Sequence, residues 1–378
     1  MVFLGENATL QLGELLVQRG FDQVLIVTDR ILLSLGVVDP LRTLLDAAGV
    51  HVSVYAEVTP DPTLSVVKHG LQQLPDRERT AVVAFGGGSV IDAAKVMALS
   101  ATHGRQLERL FGLFKGRRPA LPLFALPTTS GTGSEVTAGA VVSDDLNHQK
   151  NLVVDPRVIP LAVAIDPKVL QGMPAAVTAE TALDALTHAL EAWMSTFASA
   201  ESDAHASTAV QLIFSQLPVA YRDGHNLAAR LSLGLAAHYA GLALNKASLG
   251  YAHAIAHQLG AHCGVPHGRA NATLLPYILD FNQASSAPRL AQLARLLRLA
   301  EAHHSDAQAA ARLVAEVNAL IAAVHINTRI PGLQPERFED MITAALREAH
   351  STYPVPRMMN RSQMRAILQR IKAASDAA

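Results

Sequence analysis

The residues best suited to chemistry lie in one short stretch. Leu249–Asn271, LGYAHAIAHQLGAHCGVPHGRAN, holds His253, His257, His262 and His267. With Ala252 to Gly260 helical, His253 and His257 stand at i and i+4 and project from one face, about 5–6 Å apart at their Cβ atoms. Gly260, Gly264 and Pro266 are expected to break this helix, so His267 lies past a turn and can fold back toward His253. A second pair lies upstream in TAETALDALTHALEAW. There the apolar stripe Leu183, Leu186, Leu190 and Trp193 accounts for burial, and Asp184 and His188 share a different face. Two helices that each offer such a pair can bring three imidazoles and a carboxylate to one divalent cation. The plainer reading is a surface or hydrogen-bonded core histidine, and among 16 histidines some i, i+4 pairs arise by chance. Spacing alone does not separate His253 from His257.

The composition limits what these helices can belong to. At 378 residues the chain exceeds the size of roughly 250–300 at which a single core stops growing, so two domains are expected. The formal net charge of −1 and the 4% aromatic content suit neither a polyanion-binding surface nor an acidic tail, and nucleic acid is not expected as a partner. A single cysteine, Cys263, excludes an intramolecular disulfide framework and a thiolate metal cluster and fits a reducing compartment, so a cytoplasmic location is expected. The segment MVFLGENATLQLGELL has acidic residues where a secretion signal would be basic, and no signal is expected there. Apolar runs such as Ile159 to Ile165 and Leu121 to Leu126 are far too short to span a bilayer. They read as buried strands.

The first half alternates strands with helices. Gln23 to Thr28, His51 to Tyr55, Ala81 to Phe85 and Leu121 to Leu126 are β-branched or apolar runs, with helical segments between them. Such near-continuous apolar strands predict a parallel sheet covered on both faces. Ala81–Phe85 runs directly into Gly86, Gly87, Gly88 and Ser89, with a helix expected from Ile91. That strand-to-helix turn suits a pyrophosphate, because glycines admit close backbone approach and the helix start favours anions. Ile91 stands where a G-x-G-x-x-G motif would have its third glycine, and such turns also occur for structural reasons. Asp29 can accept from an adenosine ribose or simply cap a helix. Thr128, Thr129, Ser130, Gly131 and Thr132 form a hydroxyl-rich loop after a strand, suited to polar ligand contact or to a plain surface loop. Lys150 adds a cation that can lie near the same cleft or be an ordinary solvated lysine. From Pro174 onward helices dominate, including Thr178 to Phe197, Ala204 to Leu217, Leu227 to Leu244, Arg289 to His303, Asp306 to His325, Glu336 to Glu348 and Arg361 to Ala374. In the last, Met364, Ile367, Leu368 and Ile371 form the predicted buried stripe.

Taken together the motifs resemble the iron-containing alcohol dehydrogenase family. The resemblance is carried by Ala164-Ile165-Asp166-Pro167 through Ala182-Leu183-Asp184-Ala185-Leu186-Thr187-His188-Ala189-Leu190-Glu191, and by Gly250-Tyr251-Ala252-His253 through His257 to Pro266-His267-Gly268. GGGS, PTTSGTGSE and Val27 to Asp29 follow in the family's order. The change from strands to helices sets a boundary near Asp166-Pro167, and the resemblance implies an N-terminal α/β dinucleotide-binding domain with a Rossmann-like parallel sheet, residues 1–167, and an all-helical metal-binding and catalytic domain, residues 168–378, in a dehydroquinate synthase-like architecture. It implies Asp184, His188, His253 and His267 as metal ligands, with His257 beside the nicotinamide as a catalytic residue. Asp29, Gly87, Gly88, Ser89, Thr128, Thr129, Thr132 and Lys150 are implied as dinucleotide contacts. The expected cofactors are NAD(H) and a divalent metal, Fe²⁺ before Zn²⁺. The expected partner is a small alcohol or aldehyde in a homodimer or higher homo-oligomer, with no nucleic acid or membrane. Val355-Pro356-Arg357 departs from the Asn-Pro-Arg of many members, so the substrate pocket is not carried over.

Three rival readings belong beside this one. A lyase related to dehydroquinate synthase would need a basic pocket, and the segment from His253 to His267 is poor in Lys and Arg. A metal-free maleylacetate-type reductase would not need a complete Asp-His-His-His set. A metal-storing scaffold would have no use for the GGGS and PTTSG loops.

Overall fold

The computed structural model describes residues 1–74, 79–104, 106–146 and 150–377. It contains two compact units, Met1–Met173 with His225–Leu235, and Pro174–Gly224 with Ala236–Ala378.

In the first unit the strands are β1 (Val2–Leu4), β2 (Gln23–Val27), β3 (His51–Tyr55), β4 (Thr80–Gly86), β5 (Gly112–Leu113), β6 (Leu123–Pro127), β7 (Gly139–Ser143), β8 (Lys150–Val154) and β9 (Ala162–Ile165). Between them run α1 (Ala8–Gln18), α2 (Arg30–Ser34), α3 (Asp39–Ala47), α4 (Leu64–Gln72) and α5 (Gly88–Ala101), with α6 (Pro167–Leu170) after β9. Six strands form an all-parallel sheet in the order β1-β9-β6-β4-β2-β3. Side chains alternate across it, as a strand period of two requires. Ile26, Val83, Phe85 and Phe124 pack with Leu12 and Leu16 of α1 and Leu41 and Leu45 of α3. Leu25, Val27, Val82 and Ala84 pack with Val67 of α4 and Val90 and Met97 of α5. Burial on both faces explains why these strands read as unbroken apolar runs.

The structure also departs from the sequence reading. A second sheet, in the order β5-β8-β7, pairs β7 with β8 antiparallel. Its strands are only partly buried, so they lack the apolar run that marked the others. The helix after GGGS starts at Gly88 rather than Ile91, with Gly87 extended as its N-cap. The helical segment after Asp29 divides into α2 and α3, with Gly36 in the left-handed region at φ 69° between them.

The remaining helices are α7 (Ala175–Met194), α8 (Ala200–Arg222), α9 (Leu227–Ala247), α10 (Tyr251–Cys263), α11 (His267–Leu296), α12 (Asp306–Ala323), α13 (Phe338–Thr352) and α14 (Arg361–Ala377). Every residue of α7 from Ala182 to Met194 is buried, so its polar face is inside as well as its apolar stripe. Gly260 does not break α10. That helix ends at Gly264, whose φ of 65° is the left-handed C-terminal cap that glycine adopts without strain. Pro266 then precedes α11, and His267 is its first residue. Where the sequence suggested a helix from Arg289 to His303, α11 is a single 30-residue helix ending at Leu296 and holding Pro276 and Pro288. Burial of Ala270, Leu274, Leu275, Ile278, Leu290 and Ala294 outweighs the hydrogen bonds the two prolines cannot make. In α14 the expected stripe is buried, while Arg365 pairs with Glu339 and Arg370 with Asp280 at the surface.

Candidate metal centre and dinucleotide loops

Asp184 and His188 lie one turn apart on α7, and His253 lies in the first turn of α10. One ligand atom from each of the three falls within 4.8 Å of the other two, and all three residues are buried. His253 Nε2 is 3.6 Å from Asp184 Oδ1, too far for a hydrogen bond, and this buried nitrogen has no hydrogen-bond partner among the described residues. His267 Nε2 reaches the same Asp184 oxygen at 3.5 Å. The His188 and His253 rings stack with centroids 4.4 Å apart, and those of His253 and His267 are 5.4 Å apart. A buried ring nitrogen without a hydrogen-bond partner, close to a carboxylate and among other imidazoles, is a place that a cation would complete. Three imidazoles and one carboxylate form a borderline donor set that suits Fe²⁺ or Zn²⁺ and leaves coordination positions open.

The charges agree with the donor set. Burial opposes ionisation of Asp184, yet His188, His267 and His253 together hold it far below the usual carboxylate range. Burial likewise opposes a charge on His253, but Glu191 and Asp184 outweigh it and push the imidazole up to about 9. The pocket therefore favours positive charge at its centre.

Two polar residues here escaped the sequence reading. Glu191, one turn beyond His188, accepts from His253 Nδ1 at 2.6 Å and from the backbone N–H groups of Gly250 and Ala252 at 2.8 and 2.7 Å. Asn271, one turn beyond His267, donates Nδ2 to Asp184 Oδ1 at 2.7 Å and to His267 Nε2 at 3.2 Å. Their signal was available: each continues the i, i+3 or i+4 series of an expected ligand along one helix face.

His257 sits one turn beyond His253 and stacks on His267 at 5.2 Å. Its Nδ1 lies 2.7 Å from Glu348 Oε1, the oxygen that also accepts from Tyr353 Oη at 2.6 Å. Burial would raise the Glu348 carboxyl, but its bond to His257 and the one from Tyr353 hold it below its usual range. Spacing placed both histidines on one face. Their partners distinguish them, since His253 turns to Asp184 and Glu191 of α7 while His257 turns to Glu348 of α13.

In the first unit the expected dinucleotide residues other than Lys150 lie at the carboxyl ends of adjacent parallel strands. Asp29 follows β2, Gly87 to Ser89 follow β4, and Thr128 to Thr132 follow β6. In open α/β sheets this is the edge at which ligands bind. The two loops are in contact: a Cβ on Gly87 would come within 3.2 Å of Thr129 Cγ2, and one on Gly88 within 2.5 Å of Thr132 Cγ2. Thr128 N donates to Gly86 O at 3.1 Å. The loop after β6 is also held from below. Lys95 of α5, fully buried, donates Nζ to Ser134 Oγ, Thr137 O, Thr137 Oγ1 and Gly139 O at 3.0, 2.8, 3.1 and 2.7 Å. Asp29 Oδ1 accepts from Leu32 N at 2.9 Å, so it caps α2. Lys150 opens β8, and its Nζ lies 3.6 Å from Asp61.

Comparison with known proteins agrees along most of the chain. The family model described as "Iron-containing alcohol dehydrogenase" matches residues 1–167, and "Fe-containing alcohol dehydrogenase family, C-terminal" matches 178–372. Alcohol dehydrogenase 4 of Saccharomyces cerevisiae (strain YJM789) is 35% identical over 371 residues, covering 97% of this chain and 96% of the relative. The NAD-dependent methanol dehydrogenase of Bacillus methanolicus is 34% identical over 82% of each chain. The crystal structure of a 1,3-propanediol oxidoreductase superposes with a TM-score of 0.94 at 35% identity, covering 98% of this chain and 97% of the other.

Proposed function

The chain belongs to the iron-containing alcohol dehydrogenase family, and from that premise we propose that it moves hydride between a small alcohol or aldehyde and NAD(H). It is an oxidoreductase of that family's type. The observation that carries the reading is the buried Asp184, His188 and His253 cluster with His267 on the same carboxylate oxygen. These four residues would hold the divalent cation, Fe²⁺ by preference and Zn²⁺ as the alternative. When bound, the cation supplies Lewis acidity, which steadies negative charge on an alcohol oxygen or polarises a carbonyl.

The chain's own residues then have distinct tasks. His253 offers Nε2 inward because its Nδ1–H donates to Glu191 Oε2. Asn271 holds Asp184 Oδ1 in place. His257, the residue assigned to the nicotinamide side, donates Nδ1–H to Glu348 and so keeps its lone pair on Nε2, where a proton can be accepted or released. In residues 1–167, the dinucleotide-binding domain of this reading, the N–H groups at Gly87, Gly88 and Ser89 receive the pyrophosphate at the start of α5. Thr128, Thr129, Thr132 and Lys150 border it, and Asp29 offers its second carboxylate oxygen to the adenosine ribose. Residues 168–378 are the metal-binding catalytic domain of this reading, although 168–173 and His225–Leu235 belong to the first compact unit. The single cysteine supports a cytoplasmic location.

The deciding assay follows NADH absorbance with a panel of primary alcohols and aldehydes, using protein stripped of metal and reloaded with Fe²⁺ or Zn²⁺. Chelation abolishes turnover and Fe²⁺ restores it best. Full activity in the stripped protein overturns the reading.

A further inference from the structure

We infer that Glu191 is a positioning residue of the metal centre, whose carboxylate sets the tautomer and the aim of His253 without reaching the cation itself. The inference rests on the reading of His253 as a ligand. Glu191 is 4% exposed and lies on α7 in register with Asp184 and His188, at i+7 and i+3. Its three bonds all run to the first turn of α10. Oε2 accepts from Gly250 N and His253 Nδ1, and Oε1 from Ala252 N. A carboxylate accepts and does not donate, so the proton it faces must sit on Nδ1 of His253. In the neutral ring this leaves the lone pair on Nε2, the atom 3.6 Å from Asp184. Glu191 lies on the opposite side of the ring from that atom and cannot share its ligand.

Gly250 carries a separate trace of the same arrangement. Its backbone is extended, with φ −145° and ψ −158°, which any residue adopts, so its conformation does not call for glycine. A Cβ there would stand 2.7 Å from Glu191 Oε1. The glycine makes room for the carboxylate. The competing role for Glu191 is structural, as a remote cap that satisfies two amide donors at the start of α10 and favours its dipole. The two roles predict different measurements.

The test uses full-length protein stripped of metal and titrated with Zn²⁺ against a competing chelator, in wild type, Glu191→Gln, His253→Ala and the double variant. Glu191→Gln should weaken Zn²⁺ binding by about 10–100-fold, as loss of a hydrogen-bond partner behind a ligating histidine does. In the His253→Ala background the same substitution should change Zn²⁺ affinity no further, because its effect passes through the ring. Wild-type affinity in Glu191→Gln, or an equal loss in both backgrounds, overturns the inference and leaves a cap. If His253→Ala itself binds Zn²⁺ like wild type, the ligand reading fails first and the inference falls with it. Should the variants not fold, ¹⁵N-histidine spectra of Zn²⁺-loaded wild type decide. His253 is expected to keep its proton on Nδ1 and bind through Nε2, and binding through Nδ1 overturns the inference.

Discussion

The metal cluster of the helical unit and the loop cluster of the α/β unit make sites in opposite ways. The first is built from side chains at helical spacing, and three of them meet a second residue that holds them: Asp184 has Asn271, His253 has Glu191, and His257 has Glu348. The second is built from what is missing. Gly87 and Gly88 carry no Cβ where Thr129 and Thr132 approach, so the hydroxyl loop packs directly against their backbone. The first site should therefore fail when atoms are removed, and the second when they are added.

The largest effect expected concerns the two histidines of α10. His253→Ala should yield protein with sharply reduced metal content and no hydride transfer, whereas His257→Ala should keep its metal and lose turnover or cofactor affinity. Metal-to-protein ratios on the two purified variants decide it. Metal kept by His253→Ala and lost from His257→Ala would reverse the assignment.

Next comes the opposite operation on the loops. Gly88→Ala places a methyl group 2.5 Å from Thr132 Cγ2, whereas Gly87→Ala meets Thr129 Cγ2 at 3.2 Å. Overpacking of the first kind typically costs about 1–3 kcal/mol. Gly88→Ala should weaken NADH binding by about 10–100-fold on that scale, Gly87→Ala should weaken it less, and neither should change metal content. Fluorescence titration with NADH measures both. Equal affinity for wild type and Gly88→Ala would show that the loop contact does not shape the cofactor site.

The same contrast governs what the sequence disclosed. Asp184 with His188 and His253 with His257 were legible because helical periodicity is local, and the parallel strands because burial on both faces leaves an apolar run. The second sheet was not, since strands such as Lys150–Val154 mix exposed and buried positions and give neither a run nor a clean alternation. Nor did spacing separate His253 from His257. What separates them is Glu191, 62 residues before His253, and Glu348, 91 residues after His257, and such long-range partners leave no periodic trace. The family resemblance supplied that assignment. Gly260 misled for a related reason: a glycine inside a helix costs only about 1 kcal/mol relative to alanine, and the burial of α10 outweighs it.

A smaller effect belongs to Asp29. Its Oδ1 caps α2, which leaves the other oxygen for a ribose. Glycine at an N-cap costs only a few tenths of a kcal/mol, so Asp29→Gly should fold normally and act mainly on specificity. The like charge that a 2′-phosphate would meet is removed, and the preference for NAD(H) over NADP(H) should narrow by about tenfold or more, equivalent to about 1.4 kcal/mol. Ratios of kcat/KM with the two cofactors measure this. An unchanged ratio would leave Asp29 as a cap alone.

An effect on stability rather than on function lies beneath the hydroxyl loop, where the α/β unit holds a buried charge of its own. Burial pulls Lys95 down from its ordinary 10.5 to about 8, although Asp92 and Glu135 favour its charged form. The unfolded chain therefore binds more protons than the folded one between about pH 8 and 10.5. Stability from this group is fully present above the unfolded value and is lost as pH falls toward the folded one. Lys95→Met removes the dependence along with the four hydrogen bonds to the loop. Urea denaturation of both proteins should give a stability difference that is flat from about pH 6 to 8 and then moves in favour of wild type as the pH approaches 10. Parallel curves across that range would mean that Lys95 stays charged throughout, held by Ser134, Thr137 and Gly139 strongly enough to cancel its burial.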